Sequence, residues 1–290
     1  FIMSVLFIDT DGELRFDLAD EVKANVIRMP YTLNGTEYYD DGGRNIDYAD
    51  FFKKLREGGS STTSALNAND YTGYFEPFFE KGEDILYISF GSKFSATFTH
   101  METAIDELKA KYPNVNFTRF DTDSISMGTG FMQYYGAKKF NECGGNIAET
   151  VAYLEQLKYR VYTTFVVDDL HHLKKGGRIS STAAVFGSLI GIKPVLKITD
   201  EGKIENIDKI KGAKKVLAYL ADCFGKNCDD TENYDVWIME ADRKADAEIL
   251  RENILKIRPD ARVHIQLVGP VIGTHCGPGT LGIIFHSASR

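Results

Sequence analysis

The sequence predicts an α/β fold in two domains, and three observations carry that prediction. Short apolar runs alternate with longer stretches of helical apolar spacing along most of the chain, the pattern of strands and covering helices. At 290 residues the chain exceeds the size at which one hydrophobic core keeps growing, which favours two domains. A composition of 43% hydrophobic and 26% charged residues is that of a globular chain with enough apolar material for both cores. The expected division is 1–159 and 160–290: first a mostly parallel sheet between helix layers, then a mixed sheet with helices.

The first domain reads in order as follows. Val5–Ile8 is a buried strand that runs into the polar turn Asp9-Thr10-Asp11-Gly12. Val26–Leu33 is extended and meets Asn34-Gly35, a strong short hairpin signal. Asp47–Leu55 has helical apolar spacing, and Gly58-Gly59 stops it. The hydroxyl run Ser60-Ser61-Thr62-Thr63-Ser64 precedes a helix over Asp70–Lys81, and capping that helix is its simplest use. Ile85–Phe90 is a strand, followed by the small-residue loop Gly91–Thr97 and a helix to Lys111; a helix N-terminus placed there attracts an anion. Val115–Phe120 is the next strand, and Met127–Phe140 and Ile147–Lys158 are helices separated by Asn141–Asn146.

Val161–Val167 opens the second half and ends in Asp168-Asp169. A short helix then carries His171 and His172, and Lys174-Lys175-Gly176-Gly177-Arg178 closes it with positive charge where the helix dipole favours it. Ala183–Ile192 is almost wholly apolar, which fits a buried helix or a pocket wall. Pro194–Thr199 and Lys203–Ile207 form a hairpin across Asp200-Glu201-Gly202. Helix, strand, helix and strand follow over Ile210–Phe224, Val236–Met239, Asp246–Ile257 and Arg262–Val268. The last stretch, Gly269–Thr280, holds His275 among four glycines and two prolines, which reads either as a rigid ligand-holding loop or as a hairpin turn with an incidental histidine.

Charge and motifs narrow the chemistry. A formal charge of −8 and a pI near 5.4 argue against nucleic acid as a bulk partner. No apolar stretch reaches the roughly 18 to 20 residues of a membrane span, and no secretory signal is visible. The four cysteines, Cys143, Cys223, Cys228 and Cys276, form no C-x-x-C pair and suggest neither zinc nor a disulfide framework, so a reducing, cytoplasmic setting is expected. The loop after Phe90 carries neither a Walker motif nor a G-x-G-x-x-G, and the chain has no G-x-S-x-G or H-E-x-x-H. Adjacent residues on a helix point about 100° apart, so His171 and His172 suit a surface better than one metal site. What remains is a set of hydroxyls (Thr62, Thr63, Ser64, Ser92, Ser95), one His and one helix N-terminus, a donor set suited to a single carboxylate. A small-molecule enzyme with His275 as acid or base stays open beside a carrier, as does a carrier of some other amphiphilic carboxylic acid.

The motifs, in order, are Thr63-Ser64 before a helix, Ser92-Lys93-Phe94-Ser95-Ala96-Thr97 after a strand, and Asp121 to Gly130. Then come Leu173-Lys174-Lys175-Gly176-Gly177-Arg178-Ile179, Ile192-Lys193-Pro194 and Gly273-Thr274-His275-Cys276-Gly277-Pro278-Gly279. With them the chain resembles the DegV family of bacterial fatty-acid-binding proteins over nearly its whole length. The family's usual Thr-Ser-Gln-Pro reads Thr63-Ser64-Ala65-Leu66 here, its Ser-Gly-Thr reads Ser95-Ala96-Thr97, and its Thr-Asp-Ser after the first strand reads Asp9-Thr10-Asp11-Gly12.

The resemblance implies two α/β domains with one long-chain fatty acid between them, its tail buried and its carboxylate held by Thr63, Ser95 and His275. Thr62, Ser64, Ser92, Ala96, Gly273 and Gly277 are further candidates for head-group or loop contacts. It implies no catalytic residue, metal or cofactor in this chain. It also implies a separate ATP-dependent fatty acid kinase as partner, making acyl phosphate for phospholipid synthesis, with Arg178, Lys174 and Lys175 as candidates for docking that kinase.

Overall fold

The computed structural model describes residues 4–168, 170–179 and 191–290. In chain order its elements are β1 (Ser4–Asp9), α1 (Phe16–Glu21), β2 (Asn25–Ile27), β3 (Pro30–Leu33), β4 (Thr36–Tyr39), α2 (Tyr48–Arg56), β5 (Ser61–Thr63), α3 (Ala68–Phe79), β6 (Asp84–Ser89), α4 (Thr97–Lys111), β7 (Phe117–Asp121), α5 (Met127–Glu142) and α6 (Ile147–Leu157). The second half gives β8 (Val161–Val166), α7 (His171–Lys175), β9 (Ile192–Ile198), β10 (Ile204–Lys211), α8 (Ala213–Asn227), β11 (Val236–Glu240), α9 (Lys244–Ile257), β12 (Val263–Leu267), α10 (Pro270–Cys276) and β13 (Leu281–His286). Two compact units result. One runs to Thr32 and takes Thr36–Ile46 and Thr63–Lys158; the other takes Leu33–Gly35, Asp47–Thr62 and Tyr159–Arg290.

The first unit is built on the parallel sheet β2-β1-β6-β7. Side chains alternate across a strand, and in β6 that alternation separates the two helix layers. Tyr87 faces α3 and α4, meeting Phe75 and Phe98, and its register partner Phe7 meets Phe75 and Phe78 edge-on. Ile88, on the opposite face, lies against Gly136 of α5, where Leu154 of α6 also packs. Phe7, Phe75, Tyr87 and Ile88 are each at most 1% exposed. Full burial of each such side chain contributes roughly 1.5–3 kcal/mol.

The second unit carries the mixed sheet β10-β9-β8-β13-β11-β12, in which only β11 and β12 run parallel. Val236 and Ile238 of β11 and Leu281, Ile283 and Phe285 of β13 form one core with Leu220 and Phe224 of α8 and Leu250 and Ile254 of α9. Phe224 meets Phe285 edge-on at 5.5 Å.

Four details differ from the sequence expectations. The extended run 26–33 divides into β2, parallel to β1, and β3, which joins the small sheet β4-β3-β5. The cap of α3 is Asn67, whose side chain accepts from Asp70 N–H while Asp70 accepts from Asn67 N–H, so the hydroxyl run is not the cap and Ser61–Thr63 is a strand. Residues 210–211 finish β10, and α8 begins only after Gly212. The stretch 269–280 is neither open loop nor hairpin: residues 270–276 are helical, and β11 stands between β12 and β13. Pro270 at the first turn presets φ, Thr274 Oγ1 bonds back to Pro270 O, and Gly277 ends the helix at φ 74°. The expectation of a buried helix or pocket wall over Ala183–Ile192 lies, up to residue 190, outside the described residues.

Candidate functional site

In the first unit the sheet order sets the place. From β1 the chain crosses to β2 on one side, and from β6 it crosses to β7 on the other, so the switch point lies between β1 and β6. Loops beyond the carboxyl ends of strands at such a point are where open α/β sheets bind ligands. The loop after β6 is Phe90 to Ala96, and it carries Ser92 and Ser95.

That loop is held from below. Asp121, at the end of β7, accepts from Ser92 N–H at 3.2 Å and from Asp123 N–H at 2.9 Å. Arg119 Nη2 meets the same carboxylate at 2.5 Å, and Arg119 also lies over the Phe98 ring. Gly91 N–H donates to Ser124 O at 2.6 Å, and Lys158 pairs with Asp123 at 2.5 Å. The expected Asp121 to Gly130 motif is therefore the scaffold of the serine loop. Ser95 is half-buried, and its Oγ accepts from Thr97 N–H at 3.2 Å, whereas Ser92 and Ala96 are exposed. The N-cap residue of α4 itself, Ala96, makes no side-chain cap bond.

Beneath the switch point sits a carboxylate the sequence reading passed over. Asp9 is fully buried, and desolvation raises its pKa to about 6, although Phe90 N–H, Tyr87 O–H and Gly12 N–H all donate to it. Its position at the end of an apolar strand was the available signal.

In the second unit α7 and α10 meet through glycines. Lys174-Lys175-Gly176-Gly177-Arg178 is a Schellman stop: Gly177, at φ 71°, donates to Lys174 O at 3.0 Å, and Arg178 N–H donates to Leu173 O at 2.9 Å. A β-carbon on Gly176 would stand 2.3 Å from His275 Nδ1, one on Gly277 would stand 2.4 Å from His172 Cδ2, and one on Gly279 would stand 2.2 Å from the Asp168 carboxylate. Gly273 is equally tight against Phe52 and Phe51 of α2, at 2.8 and 2.9 Å.

His275 is a neutral imidazole at pH 7. Burial lowers its pKa to about 4, and the charges of Arg178 and His172 push in the same direction. Arg178 is half-buried and donates to Gly176 O, while Lys174 and Lys175 are exposed. Next to His275, Thr274 Oγ1 lies 2.6 Å from Ser61 Oγ. The hydroxyl strand β5 is thus tied to α10. Thr63 ends β5 and is half-buried; Thr62 and Ser64 are exposed. His171 is exposed and its ring stands at 83° to that of His172. Among the described residues no three His, Cys, Asp or Glu side chains form a metal-holding group, and no helix is long and apolar enough to cross a membrane.

Residues 5–288 match the model of the family described as "Uncharacterised protein, DegV family". The chain belongs to the DegV family. It is 36% identical over 281 residues to the DegV domain-containing protein CPE0026 of Clostridium perfringens, covering 97% of this chain and 96% of that one. Among solved DegV structures, one described as the fatty acid binding of a DegV family protein from Thermus thermophilus aligns with a TM-score of 0.84 at 26% identity, covering 99% of this chain and 100% of the other. The fatty acid binding DegV family protein SAG1342 from Streptococcus agalactiae aligns with a TM-score of 0.84 at 25% identity, covering both chains fully.

Proposed function

We propose that this DegV-family protein binds one long-chain fatty acid, its tail in the apolar interior and its carboxylate held by Thr63, Ser95 and His275, and hands it to a separate ATP-dependent kinase that forms the acyl phosphate. The observation that carries this reading is the likeness over the whole chain to two DegV proteins described as fatty acid binding. The local chemistry supports it. A carboxylate taken from water needs hydrogen-bond donors, and hydroxyls with a neutral imidazole supply them. Each buried methylene contributes about 0.8 kcal/mol, so a sixteen-carbon tail gains on the order of 10 kcal/mol before ordering costs. Affinity thus comes from the tail, and selection of an acid comes from the donors. An imidazole pKa of about 4 suits hydrogen bonding better than general-base work near pH 7. The exposed Lys174 and Lys175, with Arg178, are the proposed kinase contact.

The test is native mass spectrometry of the purified protein, followed by denaturing extraction and lipid identification. One fatty acid per chain, lost in a Thr63→Ala/His275→Ala double variant, is the expected result. A bare chain that also refuses added fatty acids sinks the reading. For the kinase step, Arg178→Ala is expected to impair phosphorylation of the bound acid while leaving lipid affinity intact; equal loss of both removes the docking role.

A further inference from the structure

We propose that Ser61 and Thr274 are a positioning pair for the carboxylate site, an inference that rests on the fatty-acid reading above. Neither residue is among the expected carboxylate donors. Thr274 Oγ1 lies 2.8 Å from Pro270 O and 2.6 Å from Ser61 Oγ. A threonine hydroxyl has one proton to give, and the carbonyl takes it. Ser61 is therefore the donor to Thr274, in a relay that runs from β5 through Thr274 to the first turn of α10.

The relay matters because of what it joins. A two-turn helix has almost no stability of its own, so its rotation about its axis is set by whatever grips it. On α10 that grip comes from Gly273 against Phe51 and Phe52, from His275 against Gly176, and from Thr274 against Ser61. Of these three, only the last is a directional polar contact made by a side chain of α10 to the hydroxyl strand. Ser61 stands two residues before Thr63, and Thr274 stands one before His275. Releasing the pair frees both proposed donors at once. The use of Ser61 also answers why the hydroxyl run begins ahead of Thr63 although Asn67, not a serine, caps α3.

The experiment measures affinity for palmitic acid and for the matching alcohol, hexadecanol, in delipidated wild type, Ser61→Ala, Thr274→Val, the double variant, and the conservative Thr274→Ser. A positioning role predicts roughly five- to tenfold weaker palmitate binding in each single variant, no further loss in the double variant, little change for hexadecanol, and recovery in Thr274→Ser. Palmitate affinity within twofold of wild type in both single variants overturns the inference, as do parallel losses for acid and alcohol. Wild type that binds neither ligand overturns the fatty-acid reading itself. Should Thr274→Val fail to fold, Ser61→Ala decides alone.

Discussion

Gly176 and His275 stand so close that a β-carbon on the glycine would lie 2.3 Å from His275 Nδ1. The backbone at Gly176 (φ −75°, ψ −11°) is one any residue adopts, so the glycine is demanded by the imidazole and not by the turn. Gly176→Ala therefore displaces the ring. The expected outcome is a stability loss of about 1–3 kcal/mol by urea unfolding, beside fatty-acid affinity reduced several-fold. Unchanged affinity with an intact fold would separate His275 from the ligand.

Gly273 tests packing instead. It is helical, and its neighbours are the Phe51 and Phe52 rings, themselves 2% and 1% exposed. Buried rings give way poorly, so Gly273→Ala is expected to cost about 1–3 kcal/mol in chemical denaturation. A neutral substitution would show that α10 shifts freely on α2.

Removing Asp121 loosens the serine loop. Its carboxylate accepts from two backbone amides and pairs with Arg119. Asp121→Ala leaves those donors without it, and a loss of about 1–3 kcal/mol is expected, with faster amide exchange at Ser92 and Asp123. Protection unchanged at both amides contradicts the scaffold role.

His275 and Asp9, one in each unit, contribute to pH dependence in opposite senses. His275 titrates at about 4 when folded against 6.5 when exposed, so it binds less proton folded than unfolded in that window and its contribution destabilises the fold as pH falls from 6.5 to 4. Asp9 titrates at about 6 against 3.8, so it binds more proton folded than unfolded and its contribution destabilises the fold as pH rises from 3.8 to 6. Each effect is at most on the order of 3 kcal/mol. The single tryptophan, Trp237, is buried in the second unit and reports on it by fluorescence; amide exchange in β1 and β6 reports on the first. His275→Asn is expected to flatten the fluorescence-detected dependence and Asp9→Asn the exchange-detected one. Two variants that both keep the wild-type slopes refute the assignment.

Much of this was legible in the sequence because the physics involved is local. Alternating apolar runs marked most strands and helices of both units, including β6 with its small-residue loop but not α1, β5 or α10, and the Lys174 to Arg178 stretch announced a helix stop through its glycines. The motifs around Thr63, Ser95 and His275 were enough to suggest the family. Long-range packing decided the rest. That 269–280 winds into α10 depends on a threonine back-bond and on a glycine that admits two phenyl rings from α2, 220 or so positions away in the sequence. Asn67 caps α3 while Ser61 meets Thr274, a pairing no spacing rule encodes. The depressed pKa of His275 and the raised pKa of Asp9 follow from burial, and burial belongs to the folded chain. Sequence by itself determined which hydroxyls and histidines the chain offers and at what spacing; only tertiary structure decided which are neutral, which are clamped, and by what, because desolvation and steric fit arise between residues distant along the chain.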